Sequence, residues 1–122
     1  MSIRQKSLIR SIVKTLLSYN PKLILLHGSL SITKDLSKSR DIDIVIVSNI
    51  FEGIIFFDRI KYVQRLLSGL VNLKIDVICL TPMEFEDCLK KKGVLYQSLT
   101  KGYTILYKSC KLYKKMIIDE IF

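Results

Sequence analysis

Three aspartates lie in stretches where a folded chain would ordinarily bury apolar side chains. Asp41 and Asp43 open the stretch 41–48, DIDIVIVS, and Asp76 stands in the middle of 73–80, LKIDVICL. Both stretches read as strands, and the apolar residues on both faces of the first mark it as internal to a sheet. Residues two apart on a strand share a face. Asp41 and Asp43 therefore project the same way, with Cα atoms about 6.6 Å apart at roughly 3.3 Å per residue. Burying uncompensated carboxylates costs several kcal/mol each, and a divalent cation held between them removes that penalty. Ligands that are all oxygen favour magnesium or manganese over zinc. With Asp76 closing the set, the three suit a two-metal centre, whose ions sit about 3.5–4 Å apart and stabilise the attacking and leaving oxygens of phosphoryl transfer. Taken alone, the same residues also fit an Asp-x-Asp facing water with Asp76 paired to a lysine.

A second element precedes the pair. Leu26-His27-Gly28-Ser29 ends a short apolar strand, 22–27, and eleven residues separate Ser29 from Asp41. Glycine lets backbone approach a phosphate closely. Exposed N–H groups and a serine hydroxyl at a helix start form an anion site. A triphosphate held there would share its magnesium with the aspartates, although an ordinary turn uses the same two residues. His27 is the single histidine. It has no ligand partner in the pattern, so it reads as a structural strand end.

The elements that must position these residues follow from periodicity. Residues 3–18 place Ile3, Leu8, Ile9, Ile12, Val13, Leu16 and Leu17 at helical spacing, and Asn20-Pro21 stops the helix. Residues 30–40 are polar and read as a short helical turn plus loop. Residues 56–71 read as a helix with Ile60, Val63, Leu66, Leu67 and Leu70 on one side. Thr81-Pro82 is a helix start with Thr81 as cap. Helix then runs to about residue 100, with a break near Gly93 and a C-cap at Gly102. The stretch 103–107, YTILY, is a strand, and 110–121 a last amphipathic helix. The implied fold class is α+β, sandwich-like: a small mixed β-sheet with flanking helices, in one domain over 1–122.

Composition narrows the setting. No apolar run approaches the roughly 20 residues of a membrane span, and the charged N-terminal stretch reads as a helix rather than a signal peptide. Three cysteines without CxxC spacing argue against a disulfide framework or zinc site, with Cys79 as a small buried residue and a reducing, cytoplasmic location. The net charge is +9, and residues 1–41 carry eight Lys/Arg against two Asp. That imbalance fits a polyanion such as RNA or a nucleoside triphosphate, or simply a lysine-rich exterior. Tyr96, Tyr103, Tyr107 and Tyr113 read as packing residues, and Lys90-Lys91-Lys92 as a solvated helix end.

An apolar strand, Gly-Ser, a spacer, Asp-apolar-Asp-apolar and a third Asp in a later strand resemble the nucleotidyltransferase signature of the DNA polymerase β-like superfamily. They stand here as LILLHGS, LSITKDLSKSR, DIDIVIV and KIDVICL, and the stretch LTPMEFEDCLKKKGVLYQSLTKGYTILYKS resembles minimal members of that family. The chain departs from many small members after Gly-Ser, where Leu30-Ser31-Ile32-Thr33-Lys34 replaces a triplet ending Arg-Gly, and Arg40 stands before the first Asp. The resemblance implies a polymerase β-like palm, two magnesium ions on Asp41, Asp43 and Asp76, and an NTP such as ATP as substrate. It implies catalytic roles for the same three aspartates, with Gly28, Ser29 and Lys34 on the phosphates. It also implies a toxin–antitoxin setting, with a HEPN-type partner that accepts AMP, or a homo-oligomer. Two alternatives stay open: an RNA or small-molecule nucleotidyltransferase, and a catalytically silent binding module of the same fold.

Overall fold

In the computed structural model, residues 3–28, 41–70 and 74–109 are described. Helix α1, Ile3–Leu16, buries Ile9, Ile12 and Leu16 along one stripe. It tightens into a 3-10 turn at Leu17–Tyr19 and stops at Asn20, whose left-handed backbone (φ 50°) lets its N–H bond back to the Leu17 carbonyl. Asparagine tolerates that conformation, and Pro21 cannot continue a helix. Strands β1 (Leu23–His27) and β2 (Asp41–Val47) follow. After a 3-10 turn at Asn49–Phe51 come α2 (Phe56–Leu67), β3 (Lys74–Leu80), α3 (Pro82–Lys91), α4 (Val94–Lys101) and β4 (Tyr103–Lys108).

The four strands form one mixed sheet in the order β3-β2-β1-β4. β1 runs antiparallel to β2 and β4, whereas β2 and β3 are parallel. A parallel neighbour requires a crossover, and α2 supplies it. Side-chain alternation then splits the interior in two. Ile42, Ile44 and Ile46 join Ile9, Ile12, Leu16, Val63 and Leu67 on the face covered by α1 and α2. Val45 and Val47 join Leu23, Leu25, Phe85, Leu89 and Leu99 on the face covered by α3 and α4. Burying each of these apolar side chains contributes about 1.5–3 kcal/mol, so both helical layers are held to the sheet by apolar contact. The expected α+β class with a mixed sheet and flanking helices is the one observed.

One expectation needs correction. Leu66 and Leu70 do not join the core; they are exposed, because the inward stripe of α2 is Arg59, Val63 and Leu67, at steps of four. Arg59, a charged residue, thus occupies a core position. Its Nη1 donates to Glu84 Oε1 (2.6 Å) and to the Cys79 carbonyl (3.2 Å), and its Nε donates to the Ile54 carbonyl (2.8 Å). The guanidinium also lies about 6 Å from the ring centres of Phe51 (6.0 Å) and Phe56 (5.9 Å), within cation–π range. Glu84 serves twice, since it also accepts the Thr81 N–H while the Thr81 hydroxyl accepts the Glu84 N–H. This capping box fixes the start of α3. Burial pushes the Glu84 carboxyl up, but the bonds from Arg59 and Thr81 outweigh it and hold the carboxyl below its ordinary range.

The anticipated cap at Thr81, the break near Gly93 and the stop at Gly102 stand where expected. Cys79 is buried, and burial pushes its thiol up to about 12 despite the nearby Arg59 charge. Among the described residues, no helix is long and apolar enough to cross a membrane. The expected turn over 30–40 and helix over 110–121 lie outside the described residues.

Candidate functional site

The site is built at one end of the sheet, where β1 finishes and β2 and β3 begin. Strand register brings together residues far apart in sequence. Asp43 pairs directly with Asp76 across the parallel β2–β3 ladder, and Asp41 pairs with Lys74. On the other side Asp43 pairs with His27, which in turn pairs with Tyr103 of β4. The result is a row across the whole sheet: Asp76, Asp43, His27, Tyr103. By alternation the row lies on the face packed by α3 and α4, because Val45, Leu25, Ile78 and Ile105, each two residues from a member of the row, belong to that cluster. Neighbouring strands are about 4.8 Å apart, so Asp43 and Asp76 are lateral neighbours on one face. Asp41 stands two residues before Asp43 in the same strand; its backbone is described and its side chain is not.

Gly28 follows β1 with φ +74°, a left-handed conformation that favours glycine. A second constraint acts there. A Cβ on Gly28 would collide with Oδ2 of Asp43 and lie 3.2 Å from its Cγ. The Gly28 backbone is therefore seated against the Asp43 carboxylate, and only a residue without a side chain fits. Ser29 and Lys34 lie outside the described residues.

His27 is where sequence reasoning stopped short. It is 8% exposed, and its Nδ1 lies 3.0 Å from Ser98 Oγ on α4. Its Nε2 is buried and has no hydrogen-bond partner among the described residues. Burial pulls the imidazole below its ordinary pKa, and the Asp43 charge opposes that shift in part. His27 thus ends β1 directly beside Asp43 in the strand register. Ser98 gave no sequence signal, since it lies 71 residues from its partner.

The arrangement sets two carboxylates side by side at a strand end, with a glycine turn pressed on one of them. Among the described residues no group of three His, Cys, Asp or Glu side chains is placed to hold a metal. The third carboxylate of the expected set belongs to Asp41. The Lys90–Lys92 run is an exposed helix end, as anticipated, with Lys91 paired to Asp87 at 2.8 Å.

Residues 6–101 match the family of the nucleotidyltransferase domain. No curated protein matches the chain in sequence. Among solved structures, the chain is similar to one in the crystal structure of a toxin-antitoxin with AMP-PNP, at 24% identity and TM-score 0.58, covering 93% of this chain and 83% of that one. It is similar to one in the crystal structure of the toxin-antitoxin MntA-HepT, at 21% identity and TM-score 0.58, covering 95% and 83%. A protein from Sulfolobus solfataricus assigned as a nucleotidyltransferase aligns at 23% identity and TM-score 0.54, covering 89% and 85%. At these identities the likeness is one of fold.

Proposed function

The chain belongs to the nucleotidyltransferase domain family, and from that premise we propose that it transfers AMP from ATP to a hydroxyl group on a protein partner. One observation carries the reading: Asp43 and Asp76 are lateral neighbours on one sheet face, and Gly28 is seated against the Asp43 carboxylate. Hard oxygen donors of this kind fit magnesium, and the absent Cβ at Gly28 leaves the Asp43 carboxylate the space it fills.

Asp41, Asp43 and Asp76 would hold two magnesium ions. The chemistry magnesium supplies when bound is charge neutralisation at the triphosphate and at the attacking and leaving oxygens. Asp76 accepts the proton of the attacking hydroxyl. The N–H groups at Gly28 and Ser29, with the Ser29 hydroxyl, hold the β- and γ-phosphates, and Lys34 adds a cation to them. The hydroxyl oxygen bonds to the α-phosphorus in line, the bond to the β-phosphate oxygen breaks, and pyrophosphate leaves. Orientation and fixed charge provide most of the acceleration.

A protein acceptor is favoured because the described residues are consumed by the sheet and its two helical layers. The resemblance to toxin–antitoxin structures supports a HEPN-type acceptor. The +9 charge favours RNA as the second reading. The test is incubation with magnesium and ATP labelled in the α-phosphate, once with the protein encoded beside this chain and once with generic RNA. Label on the neighbour protein, lost in Asp43→Asn, is the expected result. Label on RNA alone replaces the acceptor, and label on neither favours a silent binding module.

A further inference from the structure

Arg59 organises one end of the molecule, and that end carries apolar side chains outside both cores. β2 and β3 start at the candidate site and finish at the opposite end of the sheet, where α2 and α3 begin. There Arg59 ties the Ile54 carbonyl and the Phe56 ring at the entry of α2 to the Cys79 carbonyl and to Glu84 in the first turn of α3. Around this fixed hub Phe57, Met83 and Ile55 stand 82%, 78% and 71% exposed. Large apolar side chains grouped in this way mark interaction surfaces, and rigid presentation lowers the entropy cost of binding. The local charge is also inverted. Residues 49–60 and 81–87 hold five acids, Glu52, Asp58, Glu84, Glu86 and Asp87, against the single buried Arg59, in a chain of net charge +9. Two copies of this acidic knob would repel each other, so the surface that fits it is apolar and cationic.

A groove between α1 and β4 has that chemistry. It lies at the other edge of the sheet from β3. Its volume is about 310 Å3, its walls are Ile9, Val13, Leu17 and Leu106, and Arg10 and Lys14 rim it. We propose that the acidic apolar knob of one chain docks in the basic apolar groove of a second copy, with Phe57 and Met83 against Val13, Leu17 and Leu106 and the acids against Arg10 and Lys14. A contact between two different surfaces of the same chain is head-to-tail, so it builds a ring or a longer assembly. The row of Asp76, Asp43 and His27 stays open, because it lies on the α3–α4 face at the opposite end from the knob, whereas the groove belongs to the α1 face. The inference does not depend on what the site binds.

Sedimentation velocity over a concentration series reaching millimolar chain is the test, with melting as a check on folding. The wild-type mass should rise with concentration above that of one chain, and added salt should weaken the association by screening the charged rims. Phe57→Ser/Met83→Ser removes the knob and leaves the groove; Arg10→Glu/Lys14→Glu spoils the groove and leaves the knob. All four side chains are exposed, so both variants should fold. Each alone should associate about 30-fold more weakly. Mixed, they should pair, because one supplies an intact groove and the other an intact knob. A wild-type chain that stays single throughout overturns the proposal. Association that either variant leaves unchanged overturns it, and so does a mixture that pairs no better than its components. A chain that stays single but loses affinity for the protein encoded beside it in Phe57→Ser/Met83→Ser also overturns it, and gives the knob to that protein. Should the knob variant fail to fold, Asp58→Lys/Glu86→Lys takes its place: alone it should associate weakly, and with Arg10→Glu/Lys14→Glu it should pair through the reversed charges. Absence of that pairing contradicts the proposal.

Discussion

Replacing Gly28 by alanine perturbs the site through a single methyl group, and its effect divides into two parts. The first is conformational: a left-handed backbone at φ +74° costs a residue with a Cβ about 1–2 kcal/mol. The second is steric: the new Cβ meets Asp43 Oδ2 and Cγ, and turning that carboxylate off its rotamer costs about 0.5–1.5 kcal/mol. The total is about 2–3 kcal/mol. For a chain of this size that lowers the melting temperature by about 8–12 °C. The two parts separate in a double-mutant cycle with Asp43→Ala. That change removes Oδ2 and Cγ but keeps the Asp43 Cβ, which would lie 3.4 Å from the added methyl group, an ordinary contact. In the Asp43→Ala background, Gly28→Ala should therefore cost only its conformational part, leaving a coupling of about 1 kcal/mol. The assay is urea or thermal unfolding of the four proteins in metal-free buffer. An identical cost of Gly28→Ala in both backgrounds would refute the steric account and remove Asp43 from the wall of the glycine turn.

Glu84→Ala should destabilise the fold by about 2 kcal/mol, because it deletes half of the capping box and a partner of the buried Arg59; Glu84→Gln should lose less. A loss below about 0.5 kcal/mol for the alanine variant would mean that the Ile54 and Cys79 carbonyls satisfy Arg59 alone. The Glu84 carboxyl is held below its usual value of 4.5, so its stabilising contribution is complete above pH 4.5. It is lost as pH falls through the lower, folded value. Urea unfolding between pH 6 and 3 should show that slope flattened in Glu84→Gln, and parallel curves would contradict it. Cys79, with its thiol pushed up to about 12, should resist iodoacetamide at pH 8 in the native protein and react in urea. Peptide mapping that finds it alkylated without denaturant would show β3 opening readily.

What was legible in the sequence was local. The unbroken Ile/Val pattern of 42–47 identified β2 as internal, and Thr81-Pro82 marked the start of α3, because each signal is complete within a few residues. Asp41, Asp43 and Asp76 stood out through the mismatch between charge and surroundings. What escaped depends on partners remote in the chain. Arg59 gave no local sign of a buried position, because Cys79 and Glu84, which satisfy it, lie 20 and 25 residues away. Leu66 and Leu70 were placed inward because their spacing suits a wide apolar stripe, whereas the stripe that meets the sheet is the narrower 59, 63, 67 row. The neighbours of His27 depend on which strand lies on either side and in what register. Alternation within a strand carries no such information.

The transverse row also makes the site a proofreading mark for the fold. Each of the four strands contributes one member, so no hairpin, helix pair or half-sheet contains the arrangement. A slip of one residue in any pairing turns that strand's member to the opposite face, under α1 and α2. Asp43 and Asp76 meet only after a crossover has closed, and such long-range pairings are slow to form. A nascent or misregistered chain can therefore be compact, helical and well buried while still lacking the juxtaposed carboxylates. Competence at this site therefore waits on the β1–β2 and β2–β3 pairings being correct together.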